Sequence, residues 1–255
     1  SVGLGVMGLH SFFQQKMIPF ESVMSKVWNK KIFENIQKQV DQASKDLADE
    51  RGACPDAADY GINERFSNKT AIAPTASISI ICGGTSPGVE PIAANSYTHK
   101  TLSGSFNVRN RHLKQILAKY DKDNDEVWSS ITTNQGSVSH LDFLTDIEKD
   151  TFKTAFEIDQ RWIVELGADR TPNISQAQSI NVFVPADIHK KDLHQIHFQA
   201  WKKGLKSLYY CRSKSIQRAE NVNTGSSTDV TKNVYKAKEE STNEENKYEE
   251  CLSCQ

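Results

Sequence analysis

Apolar residues recur at helical spacing through ESVMSKVWNKKIFENIQKQVDQASKDLADERG, where Ile32, Phe33, Ile36, Val40, Ala43 and Leu47 share one side and charges fill the other positions. This predicts a long amphipathic helix stopped by Gly52. Ahead of it, SVGLGVMGLHSFFQQKMIPF predicts a first helix from Val6 to Met17 that opens without a capping residue, as though the chain started inside a core element. Farther along, RHLKQILAKY and SHLDFLTDIEKDTFKTAFEIDQRWIVELGADR also carry the helical period, the second with Phe152, Phe156, Trp162, Ile163 and Leu166 on its buried face. Two shorter runs, QSINVFVP and GLKSLYYCRS, are β-like, and Leu193, Ile196 and Trp201 mark an amphipathic helix between them. Strand, helix and strand in that order predict a βαβ unit with parallel strands, and hence an α/β architecture.

The strongest punctuation lies in NKTAIAPTASISIICGGTSPGVEPIAANSYTHKTLSGSFNVRN. A β-like run breaks at Pro74, continues through residues 75–79 and then meets Gly83, Gly84 and Gly88. Small and hydroxyl residues let backbone approach a ligand closely, and exposed N–H groups at a turn attract phosphate. The stretch matches neither common phosphate-loop pattern, so a plain strand and glycine-rich turn is the simpler reading of these residues alone. Tyr209 and Tyr210 are adjacent in the second β-like run. Strand neighbours point to opposite faces, so both are buried only if each face is covered or a local twist brings the rings together. Packing is the simpler role; two phenols in a covered site also offer redox and proton-transfer chemistry.

Composition narrows the classes. With 37% hydrophobic residues over 255, the chain can bury a substantial core. Lys and Arg number 31 against 32 Asp and Glu, so no basic field argues for nucleic acid or an anionic membrane. No apolar run reaches spanning length, and the expected location is cytoplasmic. Five cysteines spread over this length do not resemble a secreted disulfide framework. Cys54 lies in a loop marked by Pro55 and Gly61 and is expected to be inert. DKDNDEVW imitates a calcium loop, but Glu126 stands where Gly is needed and Thr132 where the bidentate Glu belongs. His189, His194 and His197 cluster without a carboxylate partner and read as surface histidines.

After Gln217 the character changes. RAENVNTGSSTDVTKNVYKAKEESTNEENKYEE holds few large apolar residues and cannot bury enough surface to offset its ordering entropy. The expected organisation is therefore a folded portion over 1–216 and a flexible tail over 217–255. The tail carries Cys251 and Cys254 as a C-x-x-C pair followed only by Gln255. A random coil from Gln217 to Cys251 has an r.m.s. reach of roughly 32 Å, enough to carry two thiols from the surface into a cleft.

Taken together, several stretches resemble the large catalytic subunit of class I ribonucleotide reductases. APTASISIICGGTSPGVEPIAANSYTHKTLSGSF is similar to that family's phosphate-loop region, GLKSLYY to its paired radical-relay tyrosines, CLSC to its swinging reductant arm, and SVGLGVMGLHSFF to the segment after its catalytic finger loop. The resemblance implies that Thr75, Ala76, Ser77 and Ile78 hold the phosphates of a ribonucleoside diphosphate. It implies that Tyr209 and Tyr210 relay an oxidising equivalent from a metal-containing small subunit. By the same resemblance, Cys251 and Cys254 reduce an active-site disulfide and are themselves reduced by a thioredoxin- or glutaredoxin-type protein. No cofactor is expected on this chain, because the metal belongs to the small subunit. None of the cysteines lies in the N-x-C-x-E context of the family's thiyl-forming residue, and the two cysteines of the active-site disulfide have no counterpart. The expected fold is thus the carboxy-terminal portion of a ten-stranded α/β barrel, completed by a separate amino-terminal chain and inactive alone. A thiol–disulfide redox adaptor and a non-catalytic scaffold for the small subunit are the competing readings.

Overall fold

The computed structural model describes residues 1–101 and 104–213. The segment around residues 209–213 and the segment around Leu4 belong to one open layer of extended backbone. Leu4 pairs in parallel with Thr70, Ile72 with Gln178, and β3 (Val182–Val184) with β4 (Cys211–Ser213). Four extended segments, near residues 4, 70–72, 178–184 and 209–213, therefore follow one another by parallel contacts. The described residues form no closed barrel; their other sheet is the antiparallel hairpin of β1 (Ser96–Thr101) and β2 (Gly104–Arg109), in which Ser96 faces Arg109.

Helices cover this layer. α1 (Leu9–Gln15) is shorter than the predicted 6–17 because Gly8, at φ 84°, turns the chain out of its extended run. α2 (Val23–Arg51) has the expected length and stop: Ser22 caps it by accepting from the Ser25 amide at 3.1 Å, and Gly52 ends it at φ 82°. Its buried stripe differs from the predicted one. Ser25, Asn29, Phe33, Ser44 and Ala48 are buried, whereas Ala43 is exposed and Leu47 half-buried. Ser44 Oγ accepts from the amides of Arg65 and Phe66, so a small polar residue faces the neighbouring segment where an apolar one was expected.

The region 139–170 is two helices, α7 (Asp146–Thr151) and α8 (Gln160–Arg170). Local capping outweighs the continuous apolar period: Thr145 and Glu148 form a capping box, and Asp159 caps α8 through the Arg161 amide. Phe152, Ala155 and Ile158 from the intervening turn are buried. α5 (Arg111–Lys119) and α6 (Asp125–Thr133) flank the calcium-like stretch. There Asn124 caps α6, and Asp123 accepts from the Trp128 indole at 2.8 Å. α9 (Lys190–Lys202) is the crossover between β3 and β4, which makes the predicted parallel βαβ unit. His189 caps it, His194 stacks on Phe198, and His197 Nδ1 lies 2.8 Å from the Leu193 carbonyl.

The main core gathers Phe13, Phe20, Phe33, Leu166, Ile180 and Phe183 between α1, α2, α8 and β3. Arg170, 1% exposed, sits in that layer, donating to Gln178 Oε1 at 2.6 Å and Asn29 Oδ1 at 3.3 Å. Burial lowers its guanidinium to about 9, against the pull of Asp169. Among the described residues no helix is long and apolar enough to cross a membrane.

Candidate functional site

The chain leaves its extended run at Pro74 and reverses at Thr75, whose φ of 53° is left-handed and unusual for a β-branched residue. α4 (Ala76–Ile81) begins there, so residues 75–79 are a turn and helix, not the continued strand that their β-branched content suggests. Two hydrogen bonds explain the reversal. The Ser79 amide donates to the Thr75 carbonyl at 2.9 Å, closing the first helical turn, and Thr75 Oγ1 accepts from the Gly88 amide at 2.7 Å. Gly88 is buried at φ 44°, and a Cβ there would stand 2.9 Å from the Ala73 carbonyl oxygen. The amides of Ala76, Ser77 and Ile78 fall in the first turn, beyond reach of any carbonyl of the helix itself. Ser77 and Ile78 are exposed and Thr75 and Ala76 half-buried, so the four residues lie at the surface.

Tyr209 and Tyr210 immediately precede β4. Their ring centroids are 4.2 Å apart at an interplanar angle of 54°. The local backbone thus brings neighbouring rings together, and the pair stays 44% and 46% exposed.

What holds the pair is buried beneath it. The Tyr209 amide donates to the Ile180 carbonyl at 2.8 Å, and the Val182 amide to the Tyr210 carbonyl at 2.9 Å. Between these bonds the Tyr210 amide donates to Asn181 Oδ1 at 3.0 Å, and Asn181 Nδ2 donates to Glu90 Oε1 at 2.6 Å. Glu90 is 7% exposed; burial pushes its carboxyl up to about 7, against the opposing pulls of Arg212 and Asn181. Its own amide bonds the Pro87 carbonyl, in the turn whose Gly88 amide is held by Thr75. Hydrogen bonds join Thr75 to Gly88 and join Glu90 through Asn181 to Tyr210, and the chain from Gly88 to Glu90 links the two pairs.

The ribonucleotide reductase barrel-domain model matches residues 1–61 and 56–211. The chain belongs to that family. It is 48% identical over 228 residues to the ribonucleoside-diphosphate reductase large subunit of Invertebrate iridescent virus 6, covering 88% of this chain and 24% of that protein. The large subunit of Danio rerio is 32% identical over 244 residues, covering 84% and 30%. Among solved structures, the Actinobacillus ureae class Id ribonucleotide reductase alpha subunit superposes with a TM-score of 0.78 at 37% identity, over 87% of this chain and 40% of that one. The chain thus spans about a quarter to two-fifths of the relatives it matches.

Within this reductase-family fold, the sequence-selected residues fall in two surface groups, 75–78 and 209–210. Cys251 and Cys254, and the tail from 217 onward, lie outside the described residues. Cys54 opens α3 (Pro55–Ala58), Cys82 closes α4 and Cys211 opens β4; all three are free thiols. Among the described residues no group of three or more His, Cys, Asp or Glu side chains is placed to hold a metal ion. Sequence reasoning passed over Glu90 and Asn181. The available signal was a lone carboxylate in the apolar run GVEPIA and a lone amide inside SINVFV, since polar residues in such runs are buried only with partners.

Proposed function

We propose that this chain supplies three parts of a reductase that converts ribonucleoside diphosphates to deoxyribonucleotides. Thr75, Ala76, Ser77 and Ile78 hold the substrate phosphates with backbone amides and hydroxyls. Tyr209 and Tyr210 pass an oxidising equivalent from a metal-containing small subunit. Cys251 and Cys254 give two electrons and two protons to the active-site disulfide, becoming a disulfide themselves until a thioredoxin- or glutaredoxin-type protein restores them. Tethering makes that exchange intramolecular, at roughly millimolar effective concentration. The hydrogen-abstracting cysteine and the remaining barrel strands come from the amino-terminal portion of the catalytic subunit.

One observation carries this reading: two phenol rings 4.2 Å apart are held half-exposed on a fold of the reductase family. Phenol rings this close suit stepwise transfer of an electron and a proton from one ring to the next. The experiment substitutes Phe for Tyr209 or Tyr210 in the full chain, assembled with the amino-terminal portion and the small subunit. Assembly and nucleotide binding are expected to persist while turnover falls to background. Wild-type turnover in Tyr210→Phe would exclude the relay and favour a scaffold.

A further inference from the structure

We infer that Glu90, acting through Asn181, is a positioning residue for the tyrosine pair. The inference rests on the relay role proposed for Tyr209 and Tyr210 and adds the device that sets their placement. An Asn side chain is nearly symmetric in shape, with an acceptor on one arm and a donor on the other. Tyr210 needs the acceptor, since it is the Tyr210 amide that donates to Asn181 Oδ1 at 3.0 Å. Glu90 fixes that orientation: its Oε1 accepts from Asn181 Nδ2 at 2.6 Å, and with the donor arm engaged there, the Oδ1 arm faces the Tyr210 amide. Asn181 is 1% exposed and Glu90 7%, so water does not readily substitute for either partner.

The consequence for the rings is geometric. Tyr209 and Tyr210 precede β4, whose three paired residues are Cys211, Arg212 and Ser213. Just ahead of that ladder, the Asn181 contact fixes the backbone at Tyr210, midway between the Tyr209–Ile180 and Val182–Tyr210 bonds. Arg212, one residue beyond Cys211, attracts the Glu90 carboxylate, and its Nε makes no hydrogen bond among the described residues. The same glutamate lies two residues from Gly88, whose amide Thr75 holds. Placement of the phenols is therefore keyed to the turn that carries the phosphate-loop residues.

The test uses the full chain in the assembled reductase. Glu90→Ala is expected to lower kcat roughly 10- to 100-fold, the scale of an ångström-level misplacement, with KM for the nucleoside diphosphate unchanged. Glu90→Gln keeps an acceptor oxygen for Asn181 and is expected to recover most of the lost turnover. In the chain itself, hydrogen exchange at the Tyr210 amide should quicken in Glu90→Ala and in Asn181→Ala, and stay near wild type in Glu90→Gln. If Glu90→Ala does not fold, Asn181→Ala decides, because it removes the Tyr210 acceptor directly. Unchanged kcat and exchange in the alanine variants, or equal losses in Glu90→Gln and Glu90→Ala, would overturn the inference. Failure of the relay reading is distinguishable: Tyr210→Phe would then leave turnover intact, while the exchange measurement still reports whether Glu90 fixes the backbone.

Discussion

Two buried side chains give this protein opposed responses to pH. Burial raises the Glu90 carboxyl from 4.5 to about 7, so the folded state holds a proton that the unfolded chain has released. Its contribution is fully present below pH 4.5 and is lost as pH rises through 7, an effect of about 3 kcal/mol. His10, 0% exposed, is driven the other way: burial lowers it from 6.5 to about 3, with His112 adding to the shift and the Thr151 backbone opposing it. Its contribution is present above pH 6.5 and is lost as pH falls toward 3. Between about 4.5 and 6.5 the two slopes oppose each other, with His112 and His140, both lowered by burial, adding to the His10 side, so urea-unfolding free energy should rise less with pH there than the histidines alone dictate. Glu90→Gln should unmask a rise in stability with pH across that window. His10→Gln should tilt the balance toward a fall.

At the scale of elements, the turn from Pro74 to Glu90 shows how tertiary contacts override local preference. Ile78, Ile80 and Ile81 favour extended backbone, yet the Thr75–Gly88 bond and the left-handed Thr75 convert the run into α4. Thr75→Ala leaves the buried Gly88 amide without its acceptor and is expected to cost about 1–3 kcal/mol in denaturant unfolding. Thr75→Gly should cost less, because glycine relieves the left-handed backbone while losing the same bond. Gly88→Ala combines a positive φ with a Cβ 2.9 Å from the Ala73 carbonyl oxygen and should destabilise more than either. All three should weaken nucleoside diphosphate binding if the 75–78 amides hold phosphate, measurable by calorimetry on the assembled protein. The split of 139–170 into α7 and α8 has a related cause, since Thr145 and Asp159 restart the backbone where the apolar period alone runs on.

For the whole molecule, the two surface groups are linked by the layer of parallel segments, and the tail is assigned a separate task. If Cys251 and Cys254 shuttle electrons, changing both to Ser should leave a single turnover intact in the pre-reduced assembled enzyme. Repeated cycling driven by a protein reductant should stop, and a small dithiol that reaches the active site directly should restore it. Rapid-quench measurement of deoxynucleotide separates these cases. Normal cycling of the double variant with the protein reductant would remove the tail from the mechanism.

The linear pattern alone determined the long α2 with its Gly52 stop and the parallel βαβ of β3, α9 and β4, whereas residues 75–78 and 209–210 are singled out by the family resemblance. These elements are legible because period, capping and punctuation act among residues close in sequence. Only the tertiary structure decided that the Tyr209 and Tyr210 rings meet at a tilt and stay half-exposed, that residues 76–81 are helical, and that Glu90 and Asn181 lie beneath the pair. Each depends on partners far apart along the chain: Asn181 meets Glu90 across 91 positions and Tyr210 across 29. Hydrogen bonds between such distant residues leave no periodic trace, because their geometry exists only once the parallel layer has brought the segments together.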